Sequence, residues 1–190
     1  RKKFPQTFVS VDTYRSVIAK KAAELGADII NDISGGNLDE KMFDTVSKLD
    51  VAYVLMHMQG TPQTMQQNPE YGDVVFEVKN ELEQKINRLT ELNFKNIILD
   101  VGFCFGKTTE HNYQLLKQLP QFSELGFPIL AGVSRKSMIN KVIKTNPVTA
   151  LNGTTVLNTI ALLNGAQILR VHDVTEAKQA IELVEFYRGA

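Results

Sequence analysis

Short, unbroken apolar runs alternate along this chain with longer segments whose apolar residues recur every three or four positions, the signatures of buried strands and amphipathic helices. Strands are predicted at residues 8–11 (FVSV), 28–33 (DIINDI), 51–56 (VAYVLM), 97–100 (IILD), 128–133 (PILAGV) and 166–171 (AQILRV). Helices are predicted at 14–25, 39–49, 73–92, 110–119, 138–143, 148–163 and 176–187. Their punctuation is chemical. Thr13 is placed to cap the first helix and Gly26 to stop it, Gly35 and Gly36 turn the chain after the second strand, and Pro120 ends the fourth helix.

Continuously apolar strands separated by helices imply parallel pairing with both sheet faces covered. Every strand hands over to polar residues at its carboxyl end. Asp12, Asn31, His57, Asp100, Lys136, Arg170 and His172 all lie within a few residues of such an end. That is the edge at which parallel α/β architectures bind ligands. An open doubly wound sheet and a (β/α)8 TIM barrel compete. No strand is followed by GxGxxG or GxxxxGK[ST], which weakens the first. The second needs eight βα units, whereas only about six are legible; two more, at roughly 30 residues each, would match an amino-terminal truncation of a single barrel domain spanning 1–190. The chain begins with Arg1.

Composition narrows the partner class. A chain of 190 residues that is 43% hydrophobic and 22% charged can bury one sizeable core, and 21 basic residues balance 21 acidic ones. With no net field to attract nucleic acid or an anionic membrane, a small molecule is the expected partner. The single cysteine, Cys104, excludes an internal disulfide, and neither a signal segment nor a spanning apolar run is present, so a cytoplasmic setting is expected.

The chemistry centres on residues 96–107, NIILDVGFCFGK, where an apolar strand runs straight into the carboxylate of Asp100. A carboxylate there is costly to bury without a partner, so Asp100 is either a ligand group or a turn aspartate. Asp12, Asn31, Asp100 and Lys136 together suit the edge of a flat heterocycle: carboxylates accept from an N–H and an exocyclic amine, the amide does both, and the lysine donates. Arg170 and His172 alternate on a strand and so share a face suited to phosphate, or else form a structural ion pair with Asp173 or a neighbouring carboxylate. Met56 could floor a ring pocket or simply be core, and Cys104 reads as a small packed residue.

The motifs NDISGG at 31–36, LMHMQGTP at 55–62, LDVGFCFGKT at 99–108, GVSRKSM at 132–138 and RVHDV at 170–174 resemble, in order and spacing, those of the dihydropteroate synthase family. The resemblance covers the chain from Phe8 onward and favours the TIM barrel. It implies condensation of 6-hydroxymethyl-7,8-dihydropterin diphosphate with p-aminobenzoate to dihydropteroate and diphosphate, a step of folate synthesis in which sulfonamides compete. Carried over by motif, Asp12, Asn31, Met56, Asp100 and Lys136 would bind the pterin, Arg170 would cover the pterin and meet the diphosphate, and His172 would hold the diphosphate. Phe105, Lys107 and Ser137 would lie near p-aminobenzoate. Asp12, Lys136, Arg170 and His172 would carry the chemistry, with Mg2+ as cofactor and a homodimer as the assembly.

Two departures accompany the resemblance. The family's early NxTPDSF segment, which supplies a magnesium ligand, and the strand after it have no counterpart here. The family's LDPGIGFGK is also altered at Val101, Phe103 and Cys104, so different packing of that loop is expected. The alternatives are a pterin-dependent methyltransferase of the same superfamily, which has no need of a diphosphate clamp, and a non-catalytic pterin-binding fragment.

Overall fold

A computed structural model describes residues 4–65 and 68–190. Its strands are β1 (Ser10–Asp12), β2 (Ile29–Asp32), β3 (Ala52–Met56), β4 (Ile97–Asp100), β5 (Ile129–Ala131) and β6 (Ile168–Leu169). The helices are α1 (Ser16–Glu24), α2 (Met42–Val46), α3 (Val74–Glu91), α4 (Thr109–Lys117), α5 (Ser137–Ile143), α6 (Leu151–Leu163) and α7 (Val174–Gly189). All six strands pair in parallel and in chain order, β1 through β6, as successive βα units of a (β/α)8 barrel. The sheet curls. The side chain of Arg170, just after β6, reaches Asp12 at the end of β1 across 2.7 Å.

Alternation along each strand sorts residues between two cores. Ile30, Tyr53, Leu55, Ile97, Leu99, Ile129 and Ala131 join the main core. Ile29, Ala52, Val54, Ile98, Leu130 and Ile168 form a separate cluster. The first group faces the helices and the second lines the concave side of the sheet. On α3, Val74, Val78, Leu82, Ile86 and Leu89 are buried at helical spacing against the main core. Asp73 accepts from the amides of Val75 and Phe76, which fixes where that helix starts.

Element boundaries differ from expectation where side chains from elsewhere intervene. Thr13 does not cap α1: its hydroxyl accepts from the Arg15 amide, and the Ser16 amide is instead taken by Asp39, 23 residues away. Pro120 does not end helical structure; it opens a 3-10 helix over Leu119–Leu125, because a proline is tolerated in a first turn. The last strand is only two residues long, so Arg170 and His172 lie beyond its ladder rather than on it.

The loop after β4 is wedged against the end of β3. Gly102 has φ +70°, and a Cβ there would lie 1.9 Å from the His57 carbonyl oxygen. Gly126 has a similar φ of +79° but no heavy atom within 4 Å of the corresponding position. Gly126→Ala should therefore cost about 1–2 kcal/mol, the left-handed backbone penalty. Gly102→Ala adds an overpacking cost of about 1–3 kcal/mol, and urea unfolding of the two variants should separate them in that order.

Candidate functional site

At the carboxyl ends of the strands the concave face opens into a cavity of about 280 Å3. Its walls are Asp12 from β1, Asn31 and Ile33 from β2 and the turn after it, Met56 from β3, Asp100 and Phe105 from β4 and its loop, Gly132, Ser134 and Lys136 after β5, and Arg170 and His172 after β6. Register explains the convergence: Asp12 lies beside Asn31 and Met56 beside Asp100 in the ladder, all on the inward side of the alternation. Their outward neighbours do other work. Asp32 is fully buried on the helix side, accepting from the Tyr53 hydroxyl and from the amides of Ser34 and Gly36. His57 likewise turns to the helices, 3.3 Å from Glu81 on α3, so it is not one of the convergent groups.

Polar contacts preorganise the cavity. The Asn31 amide donates to Asp12 at 2.8 Å, and the other Asp12 oxygen accepts from Arg170 at 2.7 Å. Arg170 and Asp12 are each about half exposed, 54% and 52%, so this contact is worth no more than about 1 kcal/mol and can open for a ligand. Asp100 accepts from the Gly102 amide at 2.8 Å. Burial raises its carboxyl pKa, against the opposing pull of Lys136 and of that amide. Lys136 donates to the Phe103 carbonyl at 2.7 Å and lies 4.8 Å from the centre of the Phe105 ring. Burial lowers its pKa, opposed chiefly by Asp100. The Ser134 hydroxyl and His172 Nδ1 are 2.8 Å apart, and the same hydroxyl accepts from the His172 amide at 3.2 Å.

Eight of the ten residues that the motif resemblance assigns to substrate meet here: Asp12, Asn31, Met56, Asp100, Phe105, Lys136, Arg170 and His172. Lys107 and Ser137 lie off the cavity. Lys107 is buried behind the loop, its ammonium 2.9 Å from His57 Nδ1 and 3.0 Å from the Phe105 carbonyl. Ser137 is exposed at the start of α5, with its hydroxyl 3.5 Å from the Cys104 sulfur.

Of the two ion pairs considered for Arg170, the one with a neighbouring carboxylate is formed, to Asp12, and the one with Asp173 is not. Asp173 is gripped by Arg135 through two bonds of 2.6 and 2.9 Å, and Arg135 also donates to the carbonyls of Pro147 and Val148. Ser134, Ile33 and Gly132 line the cavity without having been expected there. Ser134 follows its strand as the other polar groups do, a signal that would have found it, but nothing in the sequence marks Ile33 or Gly132.

The altered loop packs as bulk dictates. Phe103 is wholly buried in the main core, and Cys104, at φ +68°, is held by its amide donating to Asn112 at 2.6 Å.

A family model described as "Pterin binding enzyme" matches residues 1–172. The chain belongs to the pterin-binding enzyme family. Among curated pterin-binding relatives, the dihydropteroate synthase of Haemophilus influenzae is 41% identical over 178 residues, 93% of this chain and 64% of that protein. Two solved structures superpose closely. The Yersinia pestis dihydropteroate synthase, in a sulfonamide drug complex, has a TM-score of 0.94 at 36% identity, covering 97% of this chain and 68% of that one. The Thermus thermophilus synthase in complex with 4-aminobenzoate has a TM-score of 0.90 at 38% identity, covering 94% and 70%. The chain thus spans just under two thirds of the length of the curated relatives it matches.

Burial pushes the Lys107 ammonium down from 10.5 to about 7, despite Asp100 and Glu81 nearby. The folded state therefore releases this proton near pH 7 while the unfolded chain keeps it to about pH 10.5, so this residue's contribution to stability rises as pH increases across that window. The slope is at most about 1.4 kcal/mol per pH unit. Unfolding the protein and its Lys107→Met variant in urea at pH 7 and pH 9.5 should show the first gaining stability relative to the second.

Proposed function

We propose that the chain carries the pterin and diphosphate site of a dihydropteroate synthase, a folate-synthesis transferase joining 6-hydroxymethyl-7,8-dihydropterin diphosphate to p-aminobenzoate. The observation that carries this reading is one cavity in which carboxylates, an amide, a lysine and an arginine–histidine pair converge. The relatives support it: the T. thermophilus synthase has been solved with 4-aminobenzoate and with 6HMPPP, and the Y. pestis enzyme with a sulfonamide.

On this reading Asp100, Asn31 and Asp12 take the hydrogen-bonding edge of the pterin, Lys136 donates to its ring, and Met56 packs on its face. Part of the cost of burying Asp100 is recovered when a ligand N–H donates to it. Arg170 leaves Asp12 to lie over the ring and meet the diphosphate beside His172. The methylene carbon–oxygen bond breaks, diphosphate departs with the electron pair, and the arylamine nitrogen forms the new bond to that carbon and then loses a proton. No protein nucleophile is required. The residues lower the barrier in two ways: they hold the negative charge that develops on the leaving group, and they align the amine with the carbon it attacks.

Magnesium belongs to the proposal only as an ion accompanying the diphosphate. Among the described residues no group of three or more His, Cys, Asp or Glu side chains could hold a metal, and no step is assigned to it. A cytoplasmic homodimer completes the reading. Among the described residues no helix is long and apolar enough to cross a membrane. The exposed Val156 and Ile160 on α6 and Leu183 and Phe186 on α7 support self-association.

Calorimetric titration with a dihydropterin and with its diphosphate ester tests the assignment. Asp100→Asn should weaken both ligands by about 10- to 100-fold, the loss of a hydrogen bond to a charged group. Arg170→Ala should weaken the diphosphate ester selectively; equal losses for the two ligands would contradict its role. Binding of both substrates without diphosphate release would reduce the reading to a pterin-binding module. In sedimentation velocity the chain should run as a dimer and Phe186→Asp as a monomer.

A further inference from the structure

Behind the cavity, on the helix side of the sheet, four ionisable side chains form a row that the proposed chemistry does not use. Lys85 Nζ lies 2.6 Å from one Glu81 oxygen on α3, and the other Glu81 oxygen lies 3.3 Å from His57 Nε2. His57 Nδ1 lies 2.9 Å from the Lys107 ammonium, which also donates to the Phe105 carbonyl at 3.0 Å. The His57 and Lys85 side chains are 3% and 7% exposed, whereas Glu81 between them is 35% exposed.

The row has one consistent set of donors and acceptors. Burial lowers the His57 pKa, which keeps the ring neutral. A neutral ring donates from Nε2 to Glu81 and accepts at Nδ1 from Lys107. Burial raises the Glu81 carboxyl, but hydrogen bonds with His57 and Lys85 outweigh it and bring the group down to about 2. Glu81 is therefore the fixed negative charge that orients the imidazole, and the imidazole offers Lys107 its acceptor.

The far end of the row is the cavity wall. Lys107 holds the carbonyl of Phe105, whose ring lines the cavity. The loop backbone on either side is held by other side chains, Lys136 on the Phe103 carbonyl, Asn112 on the Cys104 amide and Tyr71 on the Gly106 carbonyl, and Lys107 makes the bond at Phe105 itself.

We propose that Glu81 is a positioning residue: through His57 and Lys107 it fixes Phe105 and so sets the affinity for the arylamine substrate without touching it. That Phe105 meets the arylamine rests on the motif resemblance and on the function proposed above; the fixing of the loop does not. Asp100, Asn31 and Asp12 sit on strands held by ladder bonds, so pterin binding should be nearly indifferent to the row.

Glu81→Gln keeps the size of the side chain and removes its charge. In this variant amide hydrogen exchange over residues 101–107 should accelerate about tenfold, and 4-aminobenzoate affinity, measured with pterin bound, should fall by a similar factor. Pterin affinity should change less than twofold, and Glu81→Asp should restore most of both losses. Lys107→Met cuts the same row at its inner end and should give the same faster loop exchange and the same loss of 4-aminobenzoate affinity, which covers the case in which the first variant does not fold. Unchanged loop exchange in a folded variant, or equal loss of both ligands, overturns the proposal. Faster loop exchange in a protein whose unmutated form does not bind 4-aminobenzoate would uphold the positioning and remove the proposed ligand.

Discussion

Parallel pairing in strict chain order, with the sheet curled until Arg170 meets Asp12, is the constraint on which the remaining features depend. In a curled sheet the two-residue period of a strand is also a division between inside and outside. Asn31 and Asp32 are neighbours in sequence, yet the first enters the cavity and the second anchors a turn against Tyr53. Met56 and His57 separate in the same way, one to the cavity and one to α3. A shift of one residue in register would exchange each pair and leave the cavity without its amide.

The polar and charged groups gathered at this edge are tolerable because each has a local partner. The chain has no net charge, so no global field assists, and compensation is by contact: Asp12 with Asn31 and Arg170, Asp100 with the Gly102 amide and Lys136, His172 with Ser134. Burial moves Asp100 up and Lys136 down, so leaving water costs both of them. A ligand that offers N–H donors to the carboxylate and acceptors to the lysine relieves both costs together.

The loop after β4 joins the two sides of the sheet. Asp100 and Phe105 face the cavity, Phe103 is sealed in the main core, and Lys107 reaches back to His57. Its bulk at Phe103 is accommodated by the helix-side core rather than by the cavity. Gly102 permits the contact with β3 that brings the two halves of the loop into position.

The alternation of apolar runs and amphipathic segments by itself determined the order and parallel pairing of the elements, because burial on both faces leaves a continuous apolar signature along each strand. The polar residues ending each run likewise located the site edge, and Asp12, Asn31, Asp100 and Arg170 were legible on that ground. What sequence spacing could not carry was direction and partnership. Lys107 stands two residues from Phe105 and yet faces away from the cavity, since its nearest acceptor, His57, follows β3, fifty residues earlier. Asp173 pairs with Arg135 instead of Arg170, and Asp39 rather than Thr13 satisfies the start of α1. These choices are made by groups distant in the chain and adjacent only after folding, so tertiary structure alone decided them.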